Sequence, residues 1–137
     1  MDRWTLFGKS VNPSYDISKA FLNKHGIPFD NRSVYSITKE EIIKLAKLLP
    51  GGAKSLTYPD TFSYSLINPQ RDKDKVFIEE IHSGKLSEDE IILRLTESPY
   101  LVVSPILTNF EQIIIGYQYE TMVKTFRFFK VKDVTMA

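Results

Sequence analysis

The loop before the first predicted helix is where residue types and spacing come closest to a reactive site. It runs from Gly8 to Tyr15, with the sequence GKSVNPSY, between a short apolar strand and a helix. Free backbone amides converge at such a helix N-terminus, and βα folds commonly place their chemistry there. Asn12 is predicted to cap the helix through its side-chain oxygen, and Pro13 suits the first helical position. The segment Asn12, Pro13, Ser14 and Tyr15 is therefore either a ligand site or only a capped helix start.

Several kinds of chemistry are excluded by residue type. The sequence has no cysteine, which rules out disulfides, thiol catalysis and thiolate metal sites. It has only two histidines, His25 and His82, so a multi-histidine metal site is not expected. Gly8-Lys9-Ser10 is similar to the end of a phosphate loop, but Arg3 stands where that pattern needs its first glycine. We therefore expect no metal, no bound nucleotide and no other cofactor.

Length and composition predict one globular domain in the cytoplasm. The chain has 137 residues, of which 42% are hydrophobic and 26% charged, both ordinary proportions for a globular protein. A net charge of +1 does not by itself indicate a nucleic-acid partner. No apolar run approaches the ~20 residues that a membrane helix needs, and Met1 to Trp4 does not resemble the start of a signal peptide.

The order of elements predicts an α/β fold of the thioredoxin-like kind. Hydrophobic patterns and helix-capping signals define the elements. The predicted strands are Arg3–Phe7, Phe29–Tyr35, Leu101–Leu107 and Glu111–Ile115. The predicted helices are Pro13–His25, one after the capping box Thr38–Glu41, Val76–His82, one after the capping box Ser87–Glu90, and Tyr117–Thr125. In outline this is βαβ, a mostly helical middle, and ββα, which gives a mixed four-stranded sheet with a helical insertion between its two halves.

Some assignments within these elements need separate mention. Ile17, Ala20 and Phe21 are predicted to line one face of the first helix. The segment Asn68–Asp74 is predicted to be a polar turn or loop. The carboxylates from Glu88 to Glu90 are interpreted as part of a capping box and a solvated helix end, not as a catalytic pair.

Five stretches in order and spacing make the chain similar to the arsenate reductase/Spx family of thioredoxin-like proteins. They are TLF at 5–7, SKAFLNKHGIPF at 18–29, TKEEIIKL at 38–45, KLSEDEIILRLTESPYLVVSPIL at 85–107 and IIIGY at 113–117. The resemblance implies one domain with a thioredoxin-like part at 1–36 and 99–127, a helical insertion at 37–98, and a basic-aromatic tail at 126–137. It also implies that Pro105 follows a cis peptide bond.

The same resemblance implies that the chemistry of arsenate reduction has been lost. In that family the reactive loop carries a cysteine, often as Cys-x-x-Cys, and these two places fall on Asn12 and Tyr15 here. A carboxamide is neither a nucleophile nor a redox centre. The family also has an oxyanion-binding arginine before its third-strand proline, where this chain has Ser104-Pro105, and another arginine that would fall near Tyr58. The resemblance therefore implies a protein that is not an enzyme, with a vestigial active-site loop.

With the reductase chemistry lost, the resemblance implies a role like that of the Spx proteins, which regulate transcription. Spx proteins bind the C-terminal domain of the RNA polymerase α subunit and contact promoter DNA only together with polymerase. Their polymerase-binding surface includes a glycine that corresponds to Gly52 in this sequence. The residues implied for this surface are Gly51, Gly52, Lys44, Lys47 and Lys54. Without the cysteine pair, such a regulator would have no redox switch and would be constitutive or controlled by its abundance. We expect it to be a monomer.

Alternative interpretations remain open at three places. Gly51-Gly52 is either a partner contact or only a helix stop. The inert loop at Asn12 to Tyr15 could belong to a pseudo-reductase that acts as a protein-binding adaptor, for example towards the proteolysis machinery that handles Spx. The alternating cations and aromatic residues after Lys124 either contact nucleic acid or form an amphipathic terminal element packed through its rings.

Overall fold

The computed structural model describes residues 3–10 and 12–136, with side chains as far as Arg127. Four strands are described, β1 (Trp4–Gly8), β2 (Phe29–Ser33), β3 (Ile106–Thr108) and β4 (Ile113–Ile115). The described α-helices are α1 (Pro13–Lys24), α2 (Lys39–Lys47), α3 (Thr61–Ile67), α4 (Val76–His82), α5 (Glu88–Glu97) and α6 (Tyr119–Met136). Within these residues, no helix is both long enough and apolar enough to cross a membrane.

The chain divides into two compact units. The first combines the residues before Ser33 with those after Val103, and the second contains Ser33–Val103. The four strands form one mixed sheet in the order β2-β1-β3-β4. β1 pairs antiparallel with β3 and β3 with β4, while β1 and β2 form the parallel pair. The predicted fold class, a mixed four-stranded sheet with a helical insertion, is confirmed.

The core of the first unit forms around β1, α1 and α6. Trp4 packs edge-on against Phe126 at 4.8 Å between ring centroids. The other buried members of this cluster are Leu6, Phe21, Leu22, Ile27, Leu107, Ile114 and Met122. Burying such side chains is worth roughly 1.5–3 kcal/mol each, so this cluster is the main stabilising feature of the unit.

The buried face of α1 differs from the predicted one. Phe21 is buried as expected, but Ile17 is 48% exposed and Ala20 is also exposed, whereas Ser18 and Leu22 are buried. An apolar residue can occupy either side of a short helix, and the sequence alone does not show which side meets the sheet. Ile17 therefore belongs to the surface.

In the second unit, two helices begin at the capping boxes that the sequence predicts. The Thr38 hydroxyl accepts a hydrogen bond from the Glu41 amide, and the Glu41 carboxylate accepts one from the Thr38 amide. Ser87 and Glu90 make the same reciprocal pair at the start of α5. Behind these caps, Ile42 and Leu95 are fully buried. The core of the unit also contains Val34, Leu45, Leu56, Tyr64, Ile78, Ile81 and Leu101.

The last two predicted strands are longer than the observed ones. The third strand is reduced to Ile106–Thr108, because a 3-10 turn at Pro99–Leu101 and the cis Ser104–Pro105 bond come before it. The fourth is reduced to Ile113–Ile115, because the Asn109 side chain accepts the amides of Glu111 and Gln112 and holds them in a turn.

Other element boundaries also shift. The second strand ends at Ser33, whose hydroxyl caps a 3-10 turn at Val34–Ser36. Asn68–Asp74 is not a loop, because Pro69–Lys75 forms 3-10 helix.

The last helix is longer than predicted. α6 begins at Tyr119 and continues to Met136, through the segment that was expected to be a separate tail. No glycine or proline follows Thr125 to stop the helix, and Met122 and Phe126 are buried four residues apart on one face. The side chains of Phe128, Phe129, Lys130 and Lys132 lie outside the described residues, so the predicted nucleic-acid stripe stays a prediction.

Candidate functional site

Asn12 acts as the cap of α1. Its Oδ1 accepts a hydrogen bond from the Tyr15 amide at 2.8 Å, and its backbone carbonyl oxygen accepts one from the Asp16 amide at 3.1 Å. The side chain is only 2% exposed. The Asn12 carboxamide is therefore committed to the helix start, and Pro13 occupies the first helical position as predicted.

Tyr15 fills the space at the end of β1. A Cβ on Gly8 would lie 2.1 Å from the Tyr15 ring, so the ring packs directly against the glycine backbone. Its hydroxyl donates to Asn31 Oδ1 on β2 at 2.6 Å. The Lys19 ammonium lies 5.2 Å from the ring centroid. Gly8 and Asn31 thus support the loop, a role that the local sequence does not reveal because both contacts depend on the tertiary fold.

Ser104 closes the other side of the loop. The Lys9 backbone amide donates to Ser104 Oγ at 3.0 Å, and both residues are buried, at 6% and 7% exposure. The Ser104–Pro105 peptide bond is cis, as the resemblance implies. An amide that could have contacted an oxyanion is therefore already bonded within the protein.

Tyr58 lies near the position where the sequence resemblance places the family's second arginine, and it is a neutral aromatic residue. Tyr58 is 2% exposed, and burial raises the pKa of its hydroxyl well above the ordinary value, although a hydrogen bond with Asn68 acts in the opposite direction. Its ring packs edge-on against Tyr64 at 5.7 Å. The Tyr58 carbonyl oxygen lies 2.8 Å from His82 Nε2. This position supplies packing and no positive charge.

Within the first unit, the contacts of Asn12, Tyr15 and Ser104 close the loop through hydrogen bonds inside the protein. The structure brings Lys9 and Ser104 together at the end of β1, and joins Asn12 to Tyr15 at the helix start. The amides of Lys9 and Tyr15 both have internal acceptors. Within the described residues, no group of three or more potential metal-ligating side chains is present.

The second predicted site surrounds Gly52 in the other unit. Gly52 has a φ of +70°, which favours glycine, and a Cβ there would lie 2.8 Å from Glu88 Oε2. The same carboxylate oxygen accepts the Ala53 amide at 2.9 Å. Glu88 is therefore not only part of a solvated helix end, because it holds the turn that contains Gly52. Internal geometry by itself therefore favours a glycine here.

The lysines of this site are on the surface. Lys44 and Lys47 lie on α2, three residues apart and therefore on the same side of the helix, and both are exposed. Lys54 is exposed too, and its Cε would lie 3.4 Å from a Cβ on Gly51. We define these three side chains, with Gly51 and Gly52, as the lysine face.

The fold has clear counterparts among solved structures. An ArsC family related protein from Bacteroides fragilis is 18% identical, with a TM-score of 0.64 over 89% of this chain and 97% of that one. A Staphylococcus aureus protein solved by NMR is 14% identical, with a TM-score of 0.65 over 88% and 96%. A protein from Streptococcus mutans described as a possible arsenate reductase is 20% identical, with a TM-score of 0.61 over 89% and 98%. No family model and no curated protein sequence matches this chain.

Proposed function

We propose that this protein is a non-enzymatic, Spx-like transcriptional regulator that acts in the cytoplasm. Its partner would be the C-terminal domain of the RNA polymerase α subunit, called the α C-terminal domain below. The structural likeness establishes the thioredoxin-like fold of ArsC-related proteins. The regulatory role is inferred from the sequence resemblance together with the state of the loop at Asn12.

The observation that carries the non-enzymatic part is the closed loop. Asn12 replaces the nucleophile and caps α1, and Ser104 stands in place of the clamping arginine and binds the Lys9 amide. A thiolate-based reductase needs both a nucleophile and a site for the anion. Because the chain supplies neither group at these positions, we propose that it performs no arsenate or disulfide reduction.

The lysine face supports binding to a protein partner. Exposed lysines on α2 and at Lys54 place positive charge on the surface of the second unit. The Gly52 turn is fixed by Glu88, so the backbone around it is ordered before any partner binds. Preorganisation of this kind lowers the entropic cost of association.

Gly52 is a poor residue with which to test the interface. Any side chain there would strain the positive φ and displace Glu88, so lost binding in Gly52→Arg could reflect local unfolding. Reversing the charge of an exposed lysine avoids this difficulty. Lys47→Glu changes the lysine face, and Lys73→Glu on the exposed 3-10 helix is a control with the same charge change.

Calorimetric titration with an isolated bacterial α C-terminal domain tests the proposal. We expect saturable one-to-one binding for the natural protein and for Lys73→Glu. For Lys47→Glu we expect an affinity about threefold to tenfold lower, with a smaller difference at high salt. Absence of binding at high micromolar concentration would contradict the proposal.

A protein-binding adaptor that uses the inert loop is the second candidate. Pro13 is exposed and Tyr15 half-buried, so the closed loop still presents a rigid, partly aromatic surface. The same titration distinguishes the two surfaces. Binding that is lost in Pro13→Glu but unchanged in Lys47→Glu would place the partner on the loop.

A further inference from the structure

A surface groove in the first unit has features of a second docking site. It has a volume of about 470 Å³. Its walls come from α1, from His25 directly after it, and from the start of α6 with the segment before it. The residues that line it are Ile17, Ala20, Phe21, Lys24, His25, Tyr117 and Tyr119. We call it the α1–α6 groove.

Contacts among aromatic rings shape this groove. The ring centroid of Phe21 lies 4.3 Å from that of His25 and 6.0 Å from that of Tyr119, against which Phe21 packs edge-on. The ring centroids of Tyr117 and Tyr119 are 6.4 Å apart. These rings are anchored by Phe21, which belongs to the buried core cluster. The groove therefore has an ordered aromatic floor that does not need a ligand to form.

Apolar surface extends beyond the groove along both helices. Ile17 is 48% exposed, Tyr119 57% and Val123 38%. Tyr119 and Val123 are four residues apart and share one side of α6, as Ile17 and Phe21 share one side of α1. Exposed apolar residues beside a groove commonly mark a protein-binding site, and aromatic residues are enriched in such interfaces.

The charge around the groove indicates what kind of partner fits. Among the lining residues, Lys24 carries positive charge, His25 offers an imidazole N–H, and none carries a carboxylate. On α6, outside the groove lining, Lys124 and Glu120 are both exposed. A partner with a carboxylate next to its apolar side chains would complement Lys24 and the apolar lining.

We propose that the α1–α6 groove docks an acidic amphipathic helix of a partner protein. One large apolar side chain of that helix would pack against Ile17, Phe21 and Tyr119, and a carboxylate would pair with Lys24. An apolar groove is a common recognition site for an amphipathic helix, which is read through positions i, i+3, i+4 and i+7. The proposal is independent of the lysine face and does not rest on binding to polymerase.

A peptide-display selection on the full-length protein tests this proposal. A library of helical peptides with randomised apolar and charged positions would be selected on the natural protein and counter-selected on Ile17→Glu. Leu93→Glu on α5 provides a matched control, since Leu93 is 49% exposed and Ile17 is 48% exposed. Binding of the selected peptides is then measured by fluorescence anisotropy.

We expect the selected peptides to combine large apolar residues with Asp or Glu. Their affinity should fall at least about tenfold in Ile17→Glu, about threefold to tenfold in Lys24→Glu at low salt, and remain unchanged in Leu93→Glu. Peptides without acidic residues, or no peptide dependent on Ile17, would overturn the proposal. Concentration-dependent dimerisation that Ile17→Glu abolishes would also overturn it, because a second copy of the chain would then occupy the groove.

Discussion

Two buried serines of the first unit differ in whether the hydroxyl group has a hydrogen-bond partner. Ser104 Oγ accepts the Lys9 amide, whereas Ser18 Oγ is buried on α1 without a partner among the described residues. A buried polar group without a hydrogen bond opposes folding, while a bonded one contributes to stability. Identical Ser→Ala changes at these positions should therefore have opposite effects.

We expect Ser18→Ala to raise the free energy of unfolding by up to about 1 kcal/mol, because it removes an unpaired hydroxyl and introduces a better helix former. Ser104→Ala should lower it by about 1–2 kcal/mol, since the Lys9 amide loses its acceptor. Urea unfolding followed by circular dichroism measures both values. A loss of more than about 1 kcal/mol in Ser18→Ala would contradict this reading of the α1 core.

Glycine at position 52 is explained by two constraints that can be separated. Gly52 and Gly84 both have positive φ, but a Cβ on Gly84 would meet no described atom within 4 Å. Gly84→Ala should cost about 1–2 kcal/mol from backbone strain alone. Gly52→Ala should cost about 1 kcal/mol more, because Glu88 must move away from the buried Ala53 amide.

The excess cost at Gly52 should disappear when Glu88 is removed. In a Glu88→Ala background, Gly52→Ala and Gly84→Ala should destabilise the protein by similar amounts in urea unfolding experiments. If the excess persisted there, the contact with Glu88 would not be the reason for glycine at this position.

At the scale of elements, the capping box of α5 links stability to pH. The Glu90 carboxylate accepts the Ser87 amide and hydroxyl, and these bonds lower the pKa of Glu90 below its ordinary value near 4.5. A carboxyl whose pKa is lower in the folded state stabilises the fold above its unfolded pKa. That stabilisation is lost as the pH falls through the folded pKa.

Glu90→Gln should therefore flatten the decline in stability between about pH 5 and pH 3, because glutamine keeps the capping hydrogen bond but does not titrate. Thermal unfolding across this pH range measures the slope. Glu97→Gln, in the last turn of the same helix, controls for the loss of one carboxylate. An unchanged slope in Glu90→Gln would show that the capping box does not contribute to acid sensitivity.

Elements with local signals are the ones that the sequence predicts well. The caps at Asn12, Thr38 and Ser87 lie where expected, because each depends on residues within three positions along the chain. The third and fourth strands were predicted too long, since Ser104–Pro105 and the Asn109 turn shorten them through contacts that apolar periodicity does not show.

Features that depend on distant residues were missed. Glu88 holds the Gly52–Ala53 turn across 35 positions of sequence, and Tyr15 packs on Gly8 only because the loop folds back. Ile17 was assigned to the same face as Phe21, which is correct for the groove, but only Phe21 reaches the core. No spacing rule distinguishes these two outcomes.

At the scale of the whole molecule, the fold of ArsC-related proteins is combined with a closed loop. We expect no reduction of arsenate by the purified protein supplied with a thiol reductant, because the chain has no cysteine and the loop amides of Lys9 and Tyr15 are bonded internally. The rate should equal that of a heat-denatured sample. Saturable turnover that depends on native protein would contradict this expectation.

The most direct test of the regulatory proposal is an amide NMR titration of the isotope-labelled protein with unlabelled bacterial α C-terminal domain. The account predicts saturable shifts of amides in α2 and from Gly51 to Lys54, with few changes in the loop at Asn12 to Tyr15 or in the α1–α6 groove. A spectrum that does not change at high micromolar partner concentration, or shifts confined to that loop, would contradict it.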